Sequence, residues 1–121
     1  MSLRLFATLA LLIGLIMWLF TGAISALITL HIICAILVLL LSIATLFLPA
    51  TIVGNNSQIR TLQSVTVLLA ICTMVVGYLQ WRTNFTGLPA TLLHLILAVA
   101  LVGLIETTLA RQSRIARASK A

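Results

Sequence analysis

Four apolar runs occupy most of the chain, from about Leu3 to Phe20, Ile24 to Leu48, Ile59 to Trp81 and Leu88 to Ala110. A helix needs roughly 20 apolar residues to cross a bilayer. Lipid offers the backbone no hydrogen-bond partner, so each run must satisfy its own amides and carbonyls as a helix. The pattern predicts an all-α membrane protein: one domain, a four-transmembrane-helix bundle filling residues 1–121.

The polar breaks between the runs set the connections. Thr21-Gly22 leaves only a very short turn, which makes the first two spans an antiparallel hairpin. Pro49 stops the second span, and Val53-Gly54-Asn55-Asn56-Ser57-Gln58 is the one extended turn-forming cluster. Pro89 falls in the first turn of the fourth span, where its missing donor costs nothing. Residues 111–121 form a basic tail, a topology signal at the headgroups or a docking segment for anionic lipid or a partner. The start, with Arg4, an apolar run and Thr21-Gly22-Ala23, also has the outline of a signal peptide. The internal repeat described below assigns it instead as a retained span.

Composition agrees with the pattern. Hydrophobic residues make up 63% of the 121 positions, charged residues 7%, and the mean hydropathy is +1.32. Such values lie far from those of a soluble globular domain. The net charge of +6 would suit nucleic acid in a soluble protein. Here it reads as topology, and no nucleic-acid partner is expected. Arg4, Arg60, Arg111, Arg114, Arg117 and Lys120 lie at the termini and central loop, and Arg82 stands alone between the last two spans. Cytoplasmic flanks collect Lys and Arg, so both termini and the central loop are expected in the cytoplasm, and the protein in a bacterial cytoplasmic membrane. Cys34 and Cys72 sit singly inside spans, without the spacing of a zinc site or a covalently attached haem, and are expected as buried free thiols.

A shift of 63 residues superposes the two halves without a gap. Gly14 falls on Gly77, Trp18 on Trp81, Leu30 on Leu93, His31 on His94, Ile33 on Ile96, Ala35 on Ala98, Leu41 on Leu104 and Thr45 on Thr108. Aligned aliphatics carry little weight in so apolar a chain. The chain has only two Trp and two His, however, and one register aligns both pairs. This predicts two parallel two-helix repeats, about 3–48 and 59–110, related by an axis along the membrane normal.

That symmetry brings His31 and His94 to opposite sides of the axis at one depth, about 10 Å inside the outer helix ends at 1.5 Å per residue. A polar side chain so deep in hydrocarbon faces the bundle interior. One such histidine would read as a packed residue bonded to a neighbouring helix. A symmetric pair reads as the two axial ligands of a haem b held in a bundle core. One turn deeper, Ala35 and Ala98 leave room between helices, and Gly14 and Gly77 allow either close helix approach or clearance for the cofactor edge. Trp18 and Trp81 belong to the aromatic belt or touch the cofactor. Arg82 is either a solvated interfacial charge or a holder of haem propionates. The single acid, Glu106, lies near the inner end with Arg60 and Arg111 as expected partners. No catalytic residue is assigned.

The segment Gln80-Trp81-Arg82-Thr83-Asn84-Phe85-Thr86-Gly87-Leu88-Pro89-Ala90-Thr91-Leu92-Leu93-His94-Leu95, preceded by the third span, resembles the third-to-fourth helix region of the heme A synthase family. The resemblance implies a four-helix bundle with a histidine pair on its second and fourth helices, onto which His31 and His94 fall. Where that family carries an acidic residue before its second-helix histidine, this chain has Ser25, Leu27 and Ile28. The reading that follows is a membrane b-type cytochrome: one bis-histidine haem b between helices two and four near the outer face, passing electrons as a small subunit of a larger respiratory or photosynthetic complex. Two other classes stay open, a haem-free scaffold or assembly subunit and a small four-helix proton-coupled exporter. The exporter needs a carboxylate deep in the bundle, and Glu106 lies near the end.

Overall fold

The computed structural model describes residues 2–20, 25–48, 57–83 and 87–121, all of whose regular structure is helical. Four helices follow in order: α1 (Ser2–Leu19), α2 (Ser25–Leu46), α3 (Ser57–Arg82) and α4 (Leu88–Ala118). Each is long and apolar enough to cross a membrane, the signature of an integral membrane protein. Thr21, Gly22, Pro49, residues 53–56 and Asn84 lie outside the described residues.

The helices close into a ring in which α1 packs on α2 and α4, and α3 packs on α2 and α4. The diagonal pairs are therefore α1 with α3 and α2 with α4. At one end of the bundle lie Trp18 and Trp81, and at the other Arg4, Arg60 and Arg111; these serve below as the tryptophan and arginine ends.

The bundle is assembled from its small and weakly polar residues. Ala7, Ile13, Cys34, Val38, Ser42, Ile59, Gln63, Thr66, Ala70, Ala90, Leu101, Ile105 and Thr108 are buried. Large apolar side chains such as Leu5, Phe20, Phe47, Leu68 and Ile96 cover the outside. Lipid is as apolar as leucine, so no hydrophobic force drives leucines inward, and close packing selects small residues at the contacts. The buried hydroxyls satisfy themselves on their own helices: Ser42 donates to the Val38 carbonyl at 2.7 Å, Thr66 to that of Leu62 at 2.7 Å and Thr108 to that of Leu104 at 2.8 Å. The side-chain amide of Gln63, 2% exposed, meets no partner through either its nitrogen or its oxygen.

Guanidinium groups lace the arginine end. Arg60 donates to the Leu46 carbonyl at 2.7 Å and to that of Leu48 at 2.6 Å, satisfying carbonyls that the end of α2 leaves open. Arg111 donates to Gln58 Oε1 at 3.1 Å, tying α4 to the first turn of α3. Glu106 pairs with Arg4 of α1 at 2.5 Å, not with the expected Arg60 or Arg111, because α1 is the neighbour of α4 on that side and Arg60 is turned toward α2.

Two further expectations change. Cys34 is buried, but Cys72 is exposed on the outer side of α3, since the inward face of that helix is the one bearing Thr66 and Ala70. The tail is not a separate extension either, for α4 runs on without a break to Ala118. No Gly or Pro interrupts residues 111–118. Alanine and arginine are strong helix formers, and cations suit the negative end of the helix dipole. At its other end α4 begins on Gly87, whose φ of 105° falls where only glycine is at ease, and the Gly87 carbonyl accepts from the Thr91 amide at 3.1 Å.

Two substitutions should move stability in opposite directions. Gln63→Leu removes an unpaired buried amide and is expected to raise the thermal midpoint in detergent, by the equivalent of about 1–3 kcal/mol; a lowered midpoint would show that the amide has a partner. Arg60→Ala strips two carbonyls of a charged donor and is expected to lower the midpoint by a similar amount, and an unchanged midpoint would mean that the cap contributes nothing.

Candidate functional site

α2 and α4 lie diagonally across the bundle, and each projects one histidine toward its centre. The ring centroids of His31 and His94 are 6.1 Å apart, with their planes at 64°. Each imidazole is seated against a glycine of the preceding helix. A Cβ placed on Gly14 of α1 would stand 3.0 Å from His31 Cε1, and one placed on Gly77 of α3 would stand 2.9 Å from His94 Cε1. Positions 63 apart in sequence thus hold the same contact in the two halves.

The glycine also gives access to the backbone one turn earlier. His31 Nδ1 donates to the Ala10 carbonyl at 2.9 Å. In an α-helix that carbonyl accepts the amide of residue 14, and without a side chain there its second lone pair is open to the imidazole. A carbonyl can only accept, so Nδ1 of the neutral ring carries the hydrogen and Nε2 keeps its lone pair. In the other half the equivalent carbonyl belongs to Thr73, and His94 Nδ1 faces it without closing a hydrogen bond. His31 is anchored by a closed hydrogen bond; His94 Nδ1 lies near the Thr73 carbonyl outside that geometry.

Cavities flank the pair on both sides. One, of about 110 Å³, reaches from the histidines toward the arginine end between Ala7, Val38, Ala70 and Leu101. The other, of about 520 Å³, opens toward the tryptophan end past Met17, Trp18, Tyr78 and Trp81. The larger falls within the roughly 300–1,000 Å³ of small-molecule sites, which are mostly apolar with a few placed polar groups. Here the polar groups are the two imidazoles with Tyr78, Gln80 and Thr91, and Gln80 Nε2 lies 3.5 Å from Thr91 Oγ1; Thr73 lines the smaller cavity.

Of the residues singled out from sequence, His31, Ala35, His94, Gly14 and Trp18 line both cavities, Ala98 the smaller and Gly77 and Trp81 the larger. Arg82 lines neither. It is exposed, with its guanidinium 5.4 Å from the ring centre of Trp81, and Tyr78 stands edge-on to the same indole at 6.5 Å. Glu106 takes no part. Sequence reasoning missed Ala10 and Thr73, whose side chains are uninformative because their carbonyls do the work. Counting one turn back from each glycine would have found them. It also missed Met74, which lines both cavities.

The donor set distinguishes among occupants. No group of three or more His, Cys, Asp or Glu side chains suited to a metal ion occurs among the described residues. The His31–His94 pair supplies two nitrogens, which suffice for a metal that brings its own ring of equatorial ligands. Imidazole nitrogen binds a first-row metal at about 2 Å and lies about 1 Å from its ring centre, so two imidazoles on opposite sides of one metal have centroids about 6 Å apart. The observed 6.1 Å is of that size, with the two rings edge to face.

Glycine substitutions test the seating. Gly14→Ala and Gly77→Ala force an imidazole off its helix and should lower the thermal midpoint and shift the histidine ring ¹⁵N resonances. Gly103→Ala meets nothing within 4 Å and should leave both unchanged or raise the midpoint slightly. Equal responses from all three would refute the contact.

Comparison with known protein families, with curated proteins and with solved structures finds no match for this chain.

Proposed function

We propose that the chain is a membrane b-type cytochrome that holds one haem b between His31 and His94 and passes electrons. The observation that carries this reading is the diagonal pair itself, two imidazoles with ring centroids 6.1 Å apart and cavity on both sides of them. His31 is the better prepared ligand: its Nδ1–H is bonded to the Ala10 carbonyl, which orients the ring and leaves the Nε2 lone pair available. Ala35 and Ala98 leave the ring system room, and Gly14 and Gly77 let the imidazoles lie back against α1 and α3. Propionates would face the tryptophan end, where Gln80 and Trp81 line the mouth and Arg82 stacks on Trp81. His31 and His94 would hold the haem, which would supply one-electron exchange when bound.

In this proposal the two hairpins are parallel repeats, both termini lie in the cytoplasm, and the protein works in a bacterial cytoplasmic membrane. The resemblance to the heme A synthase family contributes the haem-binding bundle only. A bundle of four helices with little else suits a small subunit of a larger respiratory or photosynthetic complex that supplies donor and acceptor.

A second reading rests on Met74. Its thioether lines both cavities beside the imidazoles, and two nitrogens with one soft sulfur suit monovalent copper. Visible spectroscopy with metal analysis separates the two. Protein purified from haem-replete cells is expected to show a reduced b-type spectrum with stoichiometric iron, lost in His31→Ala and in His94→Ala and retained in Met74→Leu. A colourless preparation would refute the cytochrome, and copper lost in Met74→Leu would establish the alternative.

A further inference from the structure

α4 is longer than a bilayer's hydrocarbon demands. Its 31 residues span about 46 Å at 1.5 Å each, against about 30 Å of hydrocarbon and about 40–45 Å of bilayer including headgroups. The apolar part ends at Ala110, so the last two turns fall at headgroup depth. There the sequence places Arg111, Arg114 and Arg117, followed by Lys120, all exposed. A spacing of three steps each cation back by about 60° round the helix, spreading them over one side.

The charges on that side have no counterpart within the chain. Glu106 is the only acidic side chain in the sequence, and Arg4 holds it. Arg60 is committed to the end of α2. Arg111 reaches only the neutral amide of Gln58. Like charges three or four apart destabilise a helix, yet this segment is helical to Ala118. An external anion at headgroup depth would relieve that repulsion.

We propose that the C-terminal extension of α4 is a binding surface for anionic phospholipid headgroups, with Arg111, Arg114 and Arg117 engaging their phosphates. Each cation near an anionic surface is worth about 1 kcal/mol, or about fivefold in occupancy. Ile115, 37% exposed between the arginines, gives the segment one apolar contact with the acyl boundary. The surface does not depend on what the histidines bind.

The test uses the full chain in nanodiscs of equimolar phosphatidylcholine and phosphatidylglycerol, with the lipids retained on the released protein counted by native mass spectrometry. Wild type is expected to retain phosphatidylglycerol preferentially. R111Q/R114Q/R117Q should lose about fivefold in that preference per arginine, up to the limit of no preference, whereas the triple Lys variant should keep most of it. Raising salt to about 0.5 M should weaken the wild-type preference. Circular dichroism checks that the Gln variant keeps its helices, and if it does not, the single variants R114Q and R117Q are read instead. No enrichment in wild type, or the same enrichment in the Gln variants, would overturn the proposal and leave the extension to a soluble acidic partner.

Discussion

Lipid supplies no hydrogen bonds, and nearly every feature of this bundle is an answer to that constraint. Backbone groups are satisfied by four helices, and the carbonyls left over at the end of α2 receive the guanidinium of Arg60. Buried serine and threonine hydroxyls turn back to carbonyls one turn earlier on their own helices. Imidazole cannot reach its own backbone in that way, so His31 borrows a carbonyl from the neighbouring helix, and the borrowing is possible only because position 14 has no side chain. The glycine, the carbonyl one turn before it and the histidine form one device.

That device occurs twice, unequally. Gly77 seats His94 as Gly14 seats His31, but the Thr73 carbonyl does not close the bond that the Ala10 carbonyl closes. A buried donor left open costs about 1–3 kcal/mol. A small rotation of the ring or of α4 would remove that cost, and the larger cavity beside His94 leaves room for one. The two imidazoles are thus held unequally, His31 on a carbonyl of the neighbouring helix and His94 by packing against Gly77.

The helices and the histidine pair were legible in sequence because each rests on a local or periodic signal. Apolar runs gave spans whose ends agree within about two residues, except where α4 continues. The two histidines in one register pointed to a meeting across the bundle, and the rings do meet. What sequence could not supply were choices among equivalent candidates. Glu106 had three arginines within reach of that end, and only the order of helices round the ring selects Arg4. Cys34 and Cys72 look alike in composition, yet one faces the interior and the other faces out, because helices apolar all round carry no stripe that orients them. The basic tail looked like a change of segment; in helix propensity nothing changes at Arg111, and α4 continues.

Fastening and open space are divided unequally between the two ends. Buried packing concentrates toward the arginine end, around Ala7, Val38, Leu101 and Ile105, and the same end carries the Arg4–Glu106 pair, the Arg60 cap and the Arg111–Gln58 bond. The larger cavity lies between the imidazoles and the tryptophan end, and only the smaller one reaches down among the core residues. A bundle fastened throughout would resist a flat ligand, since close-packed helices separate only by losing contacts along their whole length. Fastening at the arginine end leaves the larger cavity beside the histidines as the place where a ligand would cost least packing. Under the proposed haem reading, the arginine lacing would hold the bundle together while the histidine end accommodates the ring system.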